Sequence, residues 1–268
     1  MKKLIIFLLA AVMLAALCAC SGSRNEPDSA PGSRTVEASG EVIKMGTNAT
    51  FPPYEFYDDT PEHNIIGIDP EIAGLIAEKL GMTLEIDNME FDSILPAVQT
   101  GKVDFGMAGM TVNEDRLQNV NFTDSYAKGV QVVIVRSDSD ITSVDDLFTE
   151  GRGYHVGVQN ATTGDIYATW DLENKNLASV ERFSRGSEAV QALVSGKLDC
   201  VIIDDGPAKA FVAANRGLKL LDTAYADEDY AICVAKNNDE LLDRINAALD
   251  ELIADGSVQK IVDKYIKN

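Results

Sequence analysis

Beyond the first forty positions, short apolar runs alternate with segments whose apolar residues recur every three to four positions. VIKMGT reads as a strand, Pro70 to Leu80 as a helix, TLEIDN as a strand, Ile94 to Thr100 as a helix and FGMAGM as a strand. That succession predicts βαβαβ units around a largely parallel sheet. Ile72, Leu75, Ile76 and Leu80 fall on one stripe of the first helix, which is its buried face. The pattern places Asp69 as N-cap, Pro70 at the first helical position and Gly81 as the stop. Asp92 is placed as N-cap of the second helix, with Pro96 close to its start.

An internal echo follows. AVQTGKVDFGM at Ala97 to Met107 is answered by ALVSGKLDCVI at Ala192 to Ile202, each reading helix, Gly-Lys turn, Asp, strand. It suggests two lobes of similar construction, the second running through YHVGVQ, SVERF, CVIIDD and LKLLD. VQVVIVR (Val130 to Arg136) and YAICVAK (Tyr230 to Lys236) are extended runs suited to carrying the chain out of one lobe and back, a two-strand hinge. The final helices, Asp239 to Ala254 and Ser257 to Ile266, are separated by Asp255-Gly256 and are expected to pack on the first lobe. The expected division is 41–128 for the first part of lobe 1, 129–226 for lobe 2 and 227–268 for the return to lobe 1.

The opening residues differ in kind. Lys2 and Lys3 precede an apolar run, Leu4 to Leu17, too short for a permanent membrane helix, as in a secretory signal. Residues 1–19 are therefore read as a signal peptide. Leu17, Cys18 and Ala19 before Cys20 resemble the bacterial lipobox, whose cysteine thiol is diacylated, so Cys20 is the expected lipidation site. Residues 20–40 are rich in Ser, Gly, Pro and charge and read as a flexible tether reaching roughly 25 Å. No later stretch approaches the ~18 apolar residues of a membrane helix, so attachment only through lipid, at the extracytoplasmic face of the membrane, is expected.

Charge narrows the partners. The chain carries a formal −20; without Lys2 and Lys3 this becomes −22. Nucleic acid and bare anionic lipid are disfavoured. Of four cysteines, Cys200 and Cys233 sit in apolar strand-like runs and are read as buried free thiols. His63 and His155 have no metal-ligand spacing, and no G-x-S-x-G elbow, H-E-x-x-H or P-loop is present, so no cofactor, metal or catalytic residue is expected.

What remains is polar and aromatic residues at strand ends, where open α/β sheets bind ligands. After FGMAGM, Thr111 leaves the sheet, Asn113 can cap a helix and Arg116 lies in its first turn. A guanidinium there suits a carboxylate; the alternative is a surface charge paired with Glu114 or Asp115. VGVQNATTG has the same form, with Gln159, Thr162 and Thr163 before a helix. Asp204 ends CVII, where it can meet an ammonium group or cap the next helix. Asn48 and Phe51 follow the first strand and Phe91 follows TLEIDNME; the two aromatics either sandwich a ligand side chain or join the core.

Together GTNATFPPYEF, IGIDPE, MEFDSILPAVQTGKVD, AGMTVNEDR, NFTDSYAKG, VGVQNATTG, LDCVIIDD and DYAICVAKNNDELL closely resemble the polar amino acid-binding proteins of ABC importers, over residues 41–268. The resemblance implies an α/β, two-lobed periplasmic-binding-protein fold of type II with ligand in the cleft. It implies a monomeric, non-enzymatic lipoprotein that closes on a free amino acid and docks on an ABC permease. By position it implies a carboxylate clamp of Arg116, Thr111 and the Thr163 backbone, an ammonium site of Asp204 with the Gly109 carbonyl, and a side-chain clamp of Phe51 and Phe91. Asn48, Gln159 and Thr162 fall where relatives choose among ligands. Asn48 replaces the aspartate often found in basic-amino-acid receptors, which favours an uncharged polar side chain such as glutamine or cystine. Ala161 stands where relatives frequently carry Gly. A dehydratase-like enzyme on the same fold is the alternative.

Overall fold

The computed structural model describes residues 40–266. The expected signal peptide, Cys20 and nearly all of the tether lie outside that range. Two sheets form the scaffold. The first has the order Thr83–Asn88, Val42–Thr47, Phe105–Gly106, Cys233–Ala235, Val120–Phe122. Its first three strands run parallel and Cys233–Ala235 pairs antiparallel to both neighbours. The second has the order Ala178–Phe183, Tyr154–Gln159, Cys200–Asp204, Ala127–Arg136, Leu218–Leu220, with Ala226–Tyr230 also paired to Ala127–Arg136. This is the two-lobed α/β architecture of type II periplasmic-binding proteins.

The apolar runs become strands because both faces of each sheet are covered. In the second sheet Val133, Val135, Val156 and Val158 pack on one face with Leu172, while Ile134, Val201 and Ile203 pack on the other with Val190 and Leu193. In the first, Ile43 and Met45 meet Ile72 and Ile76 of helix Ile68–Leu80. The same cluster takes Ile245, Leu249 and Leu252 of helix Asp239–Ala254 and Val258 and Ile261 of helix Ser257–Tyr265.

The internal echo is repeated bond for bond. Gly101 and Gly196 turn with φ of 72° and 76°, the left-handed region that glycine enters without Cβ strain. Asp104 Oδ2 then accepts from the Lys44 amide at 2.7 Å, and Asp199 Oδ2 from the His155 amide at 2.8 Å. Each carboxylate thereby ties its own strand to the parallel neighbour that leads toward the cleft.

Three local expectations are corrected. The first helix begins at Ile68 with Gly67 as N-cap at φ 136°, where a Cβ would stand 2.1 Å from the Tyr54 carbonyl oxygen. Asp69 is therefore no cap: it lies inside the first turn, wholly buried, and its Oδ2 accepts from the Gly109 amide at 2.8 Å and the Tyr126 hydroxyl at 2.9 Å. Asp92 sits in a one-turn 3-10 helix, Phe91–Ser93, and its side chain caps nothing; its Oδ2 accepts from Asn160 Nδ2 of the other lobe at 2.8 Å. The second joining strand is Ala226–Tyr230, paired antiparallel with Ala127–Gln131, whereas Cys233–Ala235, inside the run read as a crossing, belongs to the first sheet. The crossing strand ADEDY carries no apolar run because only Glu228 and Tyr230 turn inward.

Cys200 and Cys233 are buried, unpaired and in different sheets. Among the described residues no helix is long and apolar enough to cross a membrane.

Candidate functional site

Strands of both sheets end at one cleft. Asn48, Phe51, Phe91, Gly109, Thr111, Arg116, Gln159, Thr162, Thr163 and Asp204 all line it, as do Glu55, Ala108, Gln131, Ile203, Glu228 and Tyr230, which sequence reasoning did not single out. The ten fall together because each lies at or soon after a strand end, where the sheet stops and side chains turn into the gap between lobes.

Arg116 is fixed from several sides. Asn113 caps the short helix Glu114–Leu117, its Oδ1 accepting from the Arg116 amide at 2.9 Å. The residue is only 4% exposed. Nη1 donates to the Thr111 carbonyl at 2.7 Å and Nη2 crosses to the Ala161 carbonyl at 3.1 Å. The Phe91 ring lies 5.4 Å from the guanidinium carbon, a cation–π contact. Surface pairing with Glu114 or Asp115 is thus not what Arg116 does. Burial lowers its pKa and the Glu228 charge opposes that, yet a guanidinium stays protonated. Ala161 reaches its place with φ 59°, which explains why glycine would suit it. Its amide donates to Asp165 Oδ2 at 2.9 Å. Beside it, Thr163 Oγ1 donates to Thr111 Oγ1 across the cleft at 2.8 Å.

Asp204 fills both roles left open for it. Its Oδ1 accepts from the Gly206 amide at 3.0 Å and caps helix Asp205–Ala214, while Oδ2 accepts from the Tyr230 hydroxyl in the cleft. Burial pushes its pKa up to about 8, against the lowering effect of the Tyr230 and Gly206 hydrogen bonds. Gly109 faces it from the first lobe; a Cβ there would meet the Phe51 ring at 2.9 Å.

Two further carboxyls line the same space. Glu55 is fully buried and neither oxygen meets an N–H or hydroxyl donor; burial and the neighbouring Asp69 carboxyl raise its pKa well above the usual range. Burial also lifts Asp69, to about 7, against the lowering effect of its hydrogen bonds from Gly109 and Tyr126. Glu228 accepts from Gln131 Nε2 at 3.1 Å through Oε2, and burial raises its pKa while Gln131, Thr111 and Arg116 hold it down. Neither acid stands out within PYEF or ADEDY, because the groups that bury them come from distant segments.

The opposite end is uncharged. Asn48 Oδ1 accepts from Gln159 Nε2 at 3.2 Å and from Thr50 Oγ1 at 2.8 Å, and Asn48 Nδ2 donates to the Met89 carbonyl at 2.8 Å. Phe51 and Phe91 are partly buried and line the same cleft. His155 Nδ1 lies 3.0 Å from Ser179 Oγ and His63 stands edge-on to Tyr57, both outside the cleft. Among the described residues no group of three or more His, Cys, Asp or Glu is arranged to hold a metal ion.

Comparison with known proteins agrees with this architecture. The arginine-binding extracellular protein ArtP of Bacillus subtilis (strain 168) is 31% identical over 99% of this chain and 98% of its own length. An ancestral arginine-binding protein solved bound to arginine superposes with a TM-score of 0.78 at 38% identity, covering 84% of this chain and 98% of that one. The structure of an ancestral arginine-binding protein bound to glutamine gives 0.77 at 38% identity, covering 85% and 98%. The family profile of bacterial extracellular solute-binding proteins, family 3, matches residues 43–268, and the chain belongs to that family.

Proposed function

We propose that the protein captures a free L-amino acid by closing its lobes and delivers it to the permease of an ABC importer. One observation carries this reading. A buried guanidinium, Arg116, and a buried carboxylate, Asp204, enter a single cleft from opposite lobes, complementary to the α-carboxylate and α-ammonium common to all amino acids. A ligand held by both lobes has the differential affinity for the closed form that a population shift requires. The binding proteins to which the chain is similar support the same class of ligand.

Within that class, we assign an uncharged polar side chain such as glutamine or cystine, because the wall beyond the charged groups is the amide pair Asn48 and Gln159. The glutamine complex of a structural relative supports it. Arginine is the second reading, favoured by Glu228, a cleft carboxyl beyond the one that an α-ammonium neutralises. A thermal-shift panel of the twenty amino acids with cystine and ornithine separates them, since a native-state ligand at a hundredfold excess over Kd stabilises by about 2.7 kcal/mol. The tightest ligand should be neutral and be recovered unchanged after incubation. Turnover would return the site to a dehydratase-like enzyme, and no shift with any amino acid would remove the reading altogether.

We further infer anchoring of a monomer through lipid on Cys20. Cys20→Ala should release soluble protein from the membrane fraction; retention of that variant would refute the assignment.

A further inference from the structure

Phe91 forms the first lobe's aromatic wall, and both its neighbours reach across to the second lobe outside the cavity. Asp92 Oδ2 accepts from Asn160 Nδ2 at 2.8 Å. Glu90 Oε1 lies 3.5 Å from Arg185 Nη2. None of these four residues lines the cleft. Asn160 directly follows strand Tyr154–Gln159, and Arg185 directly precedes helix Gly186–Val194, so both partners stand on the rim of the second lobe. On the first lobe, the Ser93 amide donates to the Glu90 carbonyl at 2.9 Å. That turn holds Glu90, Phe91 and Asp92 as one piece, with the Phe91 ring against Arg116.

We propose that the pairs Asp92–Asn160 and Glu90–Arg185 form a closing latch that sets affinity by the same factor for every ligand. This rests on the amino-acid-binding reading of the cleft. Contacts that bridge the lobes exist only in the closed form, so they raise its population relative to the open form. Apparent affinity scales with the fraction of molecules that are binding-competent. Because the latch touches no ligand, its removal lowers that fraction without favouring one side chain over another. Both pairs are exposed and screened, so each contributes modestly.

The test is calorimetric titration of wild type and Asp92→Ala/Arg185→Ala with glutamine, arginine and histidine, together with small-angle scattering of both proteins without ligand. Loss of the latch should weaken every measurable Kd by a common factor of about three to ten and increase the radius of gyration of the free protein. Glu90→Arg alone should weaken binding, and Glu90→Arg/Arg185→Glu should restore part of it, a rescue that a merely structural role does not produce. Kd values within twofold of wild type, or a changed rank order of ligands, overturn the latch. If wild type binds no amino acid, the proposed function fails, and scattering alone decides the latch: an unchanged radius of gyration overturns it.

Discussion

At the end of the cleft that holds Arg116 and Asp204, the polar groups are ionisable and fastened to main chain; at the end that holds Asn48 and Gln159, they are uncharged amides bonded to each other as well as to main chain. Arg116 is held by the Thr111 and Ala161 carbonyls and Asp204 by the Gly206 amide. Such groups keep their place whatever occupies the cleft. Asn48 and Gln159 meet at 3.2 Å across the lobes and also donate to the Met89 and Ser184 carbonyls; both are uncharged, so exchanging either leaves no buried charge unpaired. A site built this way can keep recognition of the backbone shared by all amino acids while its preference for side chains changes. Ancestral arginine-binding proteins solved bound to arginine and bound to glutamine illustrate that freedom.

The largest expected effect is at the fastened end. Removing one partner of a buried charged pair costs about 2–5 kcal/mol, or roughly 30- to 4,000-fold in Kd. Arg116→Ala should therefore abolish calorimetric binding at micromolar ligand, and Arg116→Lys should restore it only in part, since lysine lacks the two-pronged geometry. A folded Arg116→Ala protein that binds within threefold of wild type would dissolve the distinction between the two ends.

Next in size is a pH effect at Asp204. With a folded pKa of about 8 against an ordinary 3.8, docking an ammonium group must first expel a proton. Affinity should fall by up to about tenfold for each pH unit below 8, with proton release visible as a dependence of binding heat on buffer. The sign for stability is opposite to the usual carboxylate. Asp204 binds its proton more tightly folded than unfolded, so between pH about 4 and 8 the native state carries more protons, and this group's contribution to stability falls as pH rises. Asp204→Asn should flatten both dependences, lose ligand affinity and gain ligand-free stability at pH 8. Thermal melts from pH 5 to 8 check the sign.

The smallest effect belongs to the exchangeable end. Asn48→Asp puts a carboxylate where a ligand cation can reach it, and competition titrations should show preference moving about tenfold toward lysine, arginine or ornithine. Wild type that already prefers arginine to glutamine would show that Asn48 does not set the choice.

Legibility in the sequence followed the same division. Apolar runs such as VVIV were readable as strands because both faces of the sheet are buried, and residues such as Asn48, Thr111 and Gln159 were readable because a strand end and a turn directly precede or include them. Glu55 and Glu228 were not, since an acid in PYEF or ADEDY looks solvated until Asp69, Gln131 and Thr111 are brought around it from far along the chain. Asp69 misled for a local reason. The order Asp-Pro imitates a helix start, but Gly67 passes so close to Tyr54 that the helix opens earlier and takes Asp69 inside. The latch residues Asp92 and Asn160 lie 68 positions apart, and no short-range pattern links them.

Trimming the ligand tests the division between the two ends. The tightest amino acid from the thermal-shift panel should be titrated beside two relatives of it, one without the α-ammonium and one without the α-carboxylate. Both should lose at least about thirtyfold in affinity, while a change among neutral polar side chains costs less. A trimmed ligand that binds within threefold of the whole amino acid would contradict recognition through Arg116 and Asp204.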